Sequence, residues 1–219
     1  MNEFNLIFDF DSTIIKFETI EIIADIALED NPEREKKLEE IKQLTSLAMN
    51  GEISFSKALK KRISLMNINE SHIERTVEYL QNQLTESFYK NIENFNKRLE
   101  NCFIVSGGFK EIILPILAPF GFISKNIYAN TFILNELNEI AVDNSNVLSK
   151  DNGKMLAVDN IKGKNIIIGD GYTDYELKKL GGAEIFILFT ENIHRQILTN
   201  KADFIAENFN DVFNYIDND

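Results

Sequence analysis

The chain has 219 residues, 44% of them hydrophobic and 26% charged, with a formal net charge of −12. That length suits one α/β core of roughly 130–150 residues plus a smaller subdomain, and the composition is that of an ordinary soluble globular protein. Such acidity excludes a nucleic-acid or anionic-membrane surface, which needs a basic stripe, and any anionic substrate must be held by local groups because the overall field repels it.

Leu6, Ile7 and Phe8 read as a buried strand, followed by the turn Asp9-Phe10-Asp11-Ser12-Thr13. Between Ile15 and Thr85 the strand signal gives way to helix punctuation. Phe17–Leu28 reads as a first helix. Asn31 and Pro32 read as the N-cap and first position of a second, with Leu38, Ile41, Leu44 and Leu47 on one face and Gly51 as its stop. Ser54 opens a third helix through Ala58, Leu59 and Ile63, and Asn69 a fourth with Ile73, Val77, Leu80 and Leu84 on its apolar side. Together they form a small bundle, expected as a subdomain at 16–85 inserted into a core made of 1–15 and 86–219. Thr85 then caps a helix carrying Phe88, Ile92, Phe95 and Leu99 back to that core.

Further strands are expected at Phe103–Val105, Asn126–Ala129, Ile166–Ile168, Ile185–Phe189 and Phe204–Ala206. They alternate with helical patterns at 109–119, 153–160, 174–180, 192–199 and 209–216. Pro115 should kink or shorten the first of these. Thr131–Leu148 reads as a β excursion with Asn-rich turns. The alternation predicts a Rossmann-like, mostly parallel sheet with helices on both faces.

Chemistry-bearing residues fall at the strand ends. Asp9 and Asp11, two residues apart after the first strand, stand where open α/β sheets place their active sites. Ser106-Gly107-Gly108 follows a buried strand, and a hydroxyl with free N–H groups at a helix start makes a phosphate cradle. Gly169-Asp170-Gly171 follows another strand, with Asp174 at the next helix start. Lys150, Lys154, Lys162 and Lys164 all lie between these last two motifs. Cys102 is the lone cysteine, which leaves no internal disulfide and no Cys-based metal site, and its apolar setting reads as a buried thiol. His72 and His194 have no metal-ligand spacing, and Arg195, beside His194, would approach a bound substrate on position only. Neither a leader peptide nor a membrane-length apolar run is visible, so a cytoplasmic protein is expected.

In this order and company, the motifs Asp9-Phe10-Asp11, Ser106-Gly107-Gly108, Gly153-Lys154 and Gly169-Asp170-Gly171 resemble the phosphoserine phosphatases of the haloacid-dehalogenase superfamily, over about Phe4 to Ile216. The resemblance implies that Asp9 is a nucleophile forming an aspartyl-phosphate, and an aspartate, already ionised at neutral pH, needs no base for this. Asp11 would act as general acid and then general base. The dehalogenase branch lacks that second aspartate, so its presence points to a phosphatase. The family pattern selects Lys154, at the start of a helix, as the lysine neutralising phosphoryl group and nucleophile. Mg²⁺ would be held by Asp9, Asp170 and the backbone carbonyl of Asp11, with Asp174 in the outer shell, holding the metal's waters or orienting Lys154.

Ser106, Gly107, Gly108 and Thr173 would surround the phosphate. Glu18, Met49, Phe55 and Arg62 fall where the family carries substrate-binding residues: Arg62 for a carboxylate, Glu18 for an ammonium group, Met49 and Phe55 as apolar cover. The implied reaction is hydrolysis of O-phospho-L-serine, the last step of serine biosynthesis. Another small phosphomonoester, or transfer to an acceptor alcohol, would use the same catalytic set. Partners are thus a small-molecule phosphomonoester with no nucleic acid and no membrane, and the sequence does not choose between monomer and homodimer. Two departures stand out: Leu84–Ser87 lacks the usual Pro-Gly turn, and Tyr172-Thr173 replaces a small residue and an asparagine.

Overall fold

The computed structural model describes residues 4–135 and 139–218. Strand β1 (Phe4–Phe8) leads through one turn of wide helix at Phe10–Ile14 into α1 (Thr19–Ala27), α2 (Arg34–Met49), α3 (Phe55–Ser64) and α4 (Glu70–Leu80). Short helices α5 (Glu86–Lys90) and α6 (Ile92–Asn96) lead back to β2 (Cys102–Phe109), α7 (Lys110–Leu117) and β3 (Ile127–Asn130). A hairpin of β4 (Phe132–Leu134) and β5 (Ile140–Val142) precedes α8 (Gly153–Val158). The chain closes with β6 (Lys164–Gly169), α9 (Tyr172–Lys179), β7 (Ile185–Phe189), α10 (Gln196–Thr199), β8 (Phe204–Ala206) and α11 (Phe209–Asn218).

The main sheet has the order β3-β2-β1-β6-β7-β8 and is parallel throughout. Strands of a sheet covered on both faces read as continuous apolar runs, and here alternate residues feed two cores. Leu6, Phe8, Ile166, Ile168, Ile187 and Phe189 enter one, continuous with α7, α11 and the helices after β1. Ile7, Ile167, Phe186 and Leu188 enter the other, under α8 and α9. Phe95 is a hub of the first core, with ring centroids 5.1 Å from Phe8, 4.8 Å from Phe88 and 5.1 Å from both Phe209 and Phe213. Phe95→Ala is expected to cost about 3–5 kcal/mol, read as a lower urea midpoint with an unchanged slope.

Several helix boundaries differ from the sequence reading, each for a local reason. Helix α2 starts at Arg34 rather than Pro32, because Asn31 Oδ1 accepts from Glu33 N–H at 2.9 Å and holds a turn there. Its buried residues are Ile41, Thr45, Ala48 and Met49, while Leu44 and Leu47 stay half-buried. The single helix expected from Thr85 to Leu99 is broken at Asn91, whose amide donates to Ser87 O at 2.9 Å and Asn210 Oδ1 at 2.7 Å. A side chain competing for helix carbonyls is a known way to end one. Leu84 lies beyond α4 and bridges to Ile15. Asn69 does cap α4, with reciprocal bonds to His72. The excursion at 131–148 is the β4–β5 hairpin; its residues 136–138 lie outside the described residues.

The chain leaves and rejoins the sheet layer through two adjacent segments. Thr85 N–H donates to Ile14 O at 2.9 Å and Lys16 N–H to Gln83 O at 3.0 Å, so the stretch carrying α1–α4 begins and ends side by side. Among the described residues no helix is long and apolar enough to cross a membrane.

Candidate active site

The carboxyl ends of β1 and β6 flank the point where the strand order reverses, since β2 and β3 lie on one side of β1 and β6 on the other. A crevice opens at such a point. Asp9 follows β1, its N–H donating to Ile168 O of β6 at 2.9 Å. The wide turn after it puts Ser12 at φ 52°, a left-handed conformation costing a non-glycine residue roughly 1–2 kcal/mol. That turn brings Ser12 Oγ within 2.9 Å of Glu18 Oε1, and Asp11 Oδ1 accepts from Thr19 N–H at 3.0 Å and from the Thr19 hydroxyl.

Lys154, second residue of α8, joins two carboxylates. Its Nζ lies 2.9 Å from Asp9 Oδ2 and 2.6 Å from Asp174 Oδ1. The other oxygen of Asp174 accepts from Gly171 N–H at 3.0 Å. A Cβ at Gly169 would sit 2.3 Å from that carboxylate, so the strand end must be glycine for Asp174 to lie there. Arg195 approaches from the segment after β7, its Nε 2.9 Å from Asp170 Oδ2 and its terminal nitrogen 3.3 Å from Glu18 Oε1.

Above these groups lies a cavity of about 40 Å³, room for at most a few waters. Asp9, Asp11, Lys154, Gly107, Gly108 and Thr173 line it from the sheet side, and Glu18, Met49, Phe55 and Arg62 from the helices after β1. The Arg62 guanidinium is buried, donating to Thr45 Oγ1 at 3.0 Å and Ala58 O at 3.3 Å, with its carbon 6.0 Å from the Phe55 ring centre. A Cβ on Gly107 would lie 2.6 Å from the Phe55 ring, so glycine is what lets the two layers meet there.

The residues singled out in the sequence therefore converge, with two changes in local structure. Ser106-Gly107-Gly108 is not a loop opening a helix: β2 runs on to Phe109, and α7 begins only at Lys110. Ser106 is fully buried, and its Oγ already accepts from Gly108 N–H at 2.9 Å. The helix expected at 192–199 shrinks to α10 at Gln196–Thr199, because Asn192 spends its amide on Ser12 O and Thr85 Oγ1 and Arg195 is extended. Position alone suggested Arg195, and Thr19 was missed; its place next to Glu18 at a helix start was the available signal.

Burial governs the electrostatics. The Asp11 carboxyl is pushed up to about 8 by burial and then by Glu18 and Asp9, against the Thr19 hydrogen bonds. Asp174 is raised to about 7 by burial, although Lys154 pulls it down. Burial also carries Asp170 well above the carboxylate range against the pull of Arg195. Lys154 loses stability as a cation to burial, yet Asp174 and Asp9 more than offset this and raise it. Burial lowers Arg62.

Five acidic side chains (Asp9, Asp11, Glu18, Asp170, Asp174) thus face three cationic ones (Lys154, Arg62, Arg195). Oxygens of Asp9, Asp170 and Asp174 lie within 4.8 Å of one another, and all three residues are buried. An excess of hard oxygen donors fits a small divalent cation such as Mg²⁺.

Comparison with known proteins follows this geometry. The haloacid dehalogenase-like hydrolase family profile matches residues 6–179. The chain belongs to that family. This haloacid dehalogenase-like hydrolase is 27% identical over 216 residues to the chloroplastic phosphoserine phosphatase of Arabidopsis thaliana, covering 96% of the chain and 70% of the relative. A phosphoserine phosphohydrolase-like protein from Francisella tularensis superposes with a TM-score of 0.87 at 35% identity, over 97% of this chain and 99% of the other. A structure described as a phospho-aspartyl intermediate analogue of phosphoserine phosphatase superposes with a TM-score of 0.76 at 28% identity, over 97% and 98% of the two chains.

Proposed function

We propose that this hydrolase is an Mg²⁺-dependent phosphatase that converts O-phospho-L-serine to L-serine and phosphate through an aspartyl-phosphate on Asp9. The observation that carries the reading is that Arg62 and Glu18, opposite in charge, both line the cavity that holds Asp9, Asp11 and Lys154. A carboxylate, an ammonium group and a phosphate at short spacing describe an amino-acid phosphate. The names of the matched relatives support the same substrate.

In this reading residues 16–85 form a cap over a core of 1–15 and 86–219. Phosphoserine would enter with this cap open, and closure would exclude water during attack by Asp9. Arg62 then grips the substrate carboxylate and Glu18 its ammonium group, while Met49 and Phe55 exclude water. Ser106, Gly107, Gly108 and Thr173 surround the phosphoryl oxygens. An Asp9 oxygen bonds to phosphorus as the ester P–O bond breaks, and the serine oxygen takes the proton that Asp11 holds. Burial and the Glu18 and Asp9 carboxylates raise the Asp11 carboxyl to about 8 in the metal-free protein, which favours the protonated acid that the serine oxygen needs. Asp11 next takes a proton from water as it attacks the aspartyl-phosphate, releasing phosphate and restoring Asp9.

Lys154 keeps its proton and balances charge on Asp9 and the phosphoryl group. Asp9, Asp170 and the Asp11 carbonyl would hold Mg²⁺, with Asp174 outside them. When bound, the ion spreads the charge of the transferring phosphoryl oxygens.

Phosphate release should be compared between phosphoserine and a panel of small phosphomonoesters, with Mg²⁺ and with chelator. The expected result is a large kcat/KM preference for phosphoserine that chelator abolishes. Arg62→Ala should cut that value by about a hundredfold, the order expected when a charged hydrogen-bond partner is removed, while a phosphoester without a carboxylate loses little. Broad selectivity untouched by Arg62→Ala would remove phosphoserine as the substrate.

A further inference from the structure

Arg195 has no part in the chemistry above, yet it is 9% exposed and sits between two carboxylates from different parts of the fold. One, Asp170, follows β6 and is 1% exposed; the other, Glu18, immediately precedes α1. Arg195 Nε meets only Asp170 Oδ2, so the other Asp170 oxygen is left for a metal. Its terminal nitrogen and Ser12 Oγ both meet Glu18 Oε1, which leaves Oε2 for a substrate cation. A planar guanidinium can hold two carboxylates at once, whereas an ammonium is a point charge.

The segment carrying Arg195 is itself anchored where the chain crosses to α1–α4 and back. Asn192 Nδ2 donates to Ser12 O at 3.1 Å and Thr85 Oγ1 at 2.6 Å. Thr85 Oγ1 in turn donates to Thr13 O at 2.6 Å. Glu191 Oε1 accepts from Ser87 N–H at 3.0 Å. Arg195 therefore reaches the site from a support tied to both crossings.

We propose that Arg195 is a positioning residue that fixes Asp170 for the metal and Glu18 for the substrate ammonium group, linking the two binding events. The inference rests on the reading of Asp170 as a metal ligand and Glu18 as the ammonium partner. Partners that orient a metal-binding carboxylate contribute about 10–100-fold to metal affinity. Removing a positive charge near the metal would by itself tighten binding, so the sign of the change separates positioning from plain repulsion.

The test is calorimetric titration of Mg²⁺ alone into wild-type protein, Arg195→Ala and Arg195→Lys. Positioning predicts Mg²⁺ affinity about tenfold weaker in both variants, because lysine keeps the charge but not the fork. KM for phosphoserine should rise more than KM for 3-phosphoglycerate, which has a hydroxyl in place of the ammonium group, and kcat should change less than KM for phosphoserine. Affinity for Mg²⁺ unchanged or tightened in either folded variant, or equal rises in KM for the two esters, would overturn the proposal. Should the wild type fail to hydrolyse phosphoserine, the calorimetric arm would still test Arg195 while the substrate reading failed by itself.

Discussion

Asp9→Asn is expected to lower phosphoserine turnover by roughly 10⁴-fold or more, the scale seen when a covalent nucleophile is removed. The substitution is close to isosteric, and an amide oxygen can still accept from Phe10 N–H, which donates to Asp9 Oδ1 at 2.7 Å in the native protein. Asp9 N–H also keeps its bond to Ile168 O, since that contact involves backbone only. Lys154 Nζ loses Asp9 Oδ2 as a charge partner at 2.9 Å but keeps Asp174 Oδ1 at 2.6 Å, so the fold should persist with a lowered Tm. What disappears is the oxygen nucleophile, because a neutral amide does not attack phosphorus at a useful rate. A variant that stays folded and dead separates chemistry from structure at this position.

Lys154→Met should carry the second large effect, on both activity and stability. Loss of the cation facing Asp9 should cut kcat by about 10²–10³-fold, as when one group stabilising a developing charge is removed. Stability should fall too, because Asp9 and Asp174, with side chains 6% and 0% exposed, lose the ammonium they share. Breaking a buried pair from one side costs about 3–5 kcal/mol.

The pH dependence gives this prediction its sign. Asp174 is already raised to about 7 with Lys154 pulling it down, and without that pull it moves higher. A carboxyl whose folded pKa exceeds its unfolded value near about 3.9 takes up a proton on folding. The deficit from Asp174 is therefore fully present above the folded pKa, shrinks as pH falls through it, and is gone below the unfolded value. Because native Asp174 already titrates near 7, the extra deficit lies above that value, and urea unfolding with chelator at pH 9 and pH 7 should show Lys154→Met closer to native stability at the lower pH. A constant deficit would mean that the lost lysine acted through packing alone.

The sheet was legible because both of its faces are covered: apolar triplets such as Leu6-Ile7-Phe8 and Ile166-Ile167-Ile168 read the same from either side. The start of α4 was legible because Asn69 and His72 cap within four residues, a wholly local signal. Elements set by long-range contacts were not. Asn91 looks like one polar residue in an amphipathic helix until Asn210 is placed beside it. Asn192 looks like a helix start until its amide finds Ser12 and Thr85.

The same division runs through the site. Asp9, Asp11 and Asp170 could be singled out because each stands at a strand end within a short motif, whereas the family pattern chose Lys154 from four nearby lysines. The resemblance offered Asp174 as a group orienting Lys154, and the packing of α8 against α9 brings the two together. Arg195 is the extreme case. Its sequence neighbourhood gives it no role, and its two carboxylate partners lie 25 and 177 residues away.

The most direct test of the proposed function is to mix the wild type with phosphoserine and Mg²⁺, quench in acid within one turnover, and map the product by peptide mass spectrometry. The account predicts one phosphoryl group on the peptide containing Asp9, appearing with a matching burst of free serine and absent in Asp9→Asn. Serine released with no phosphoryl group on Asp9, or with the label on another residue, would contradict it.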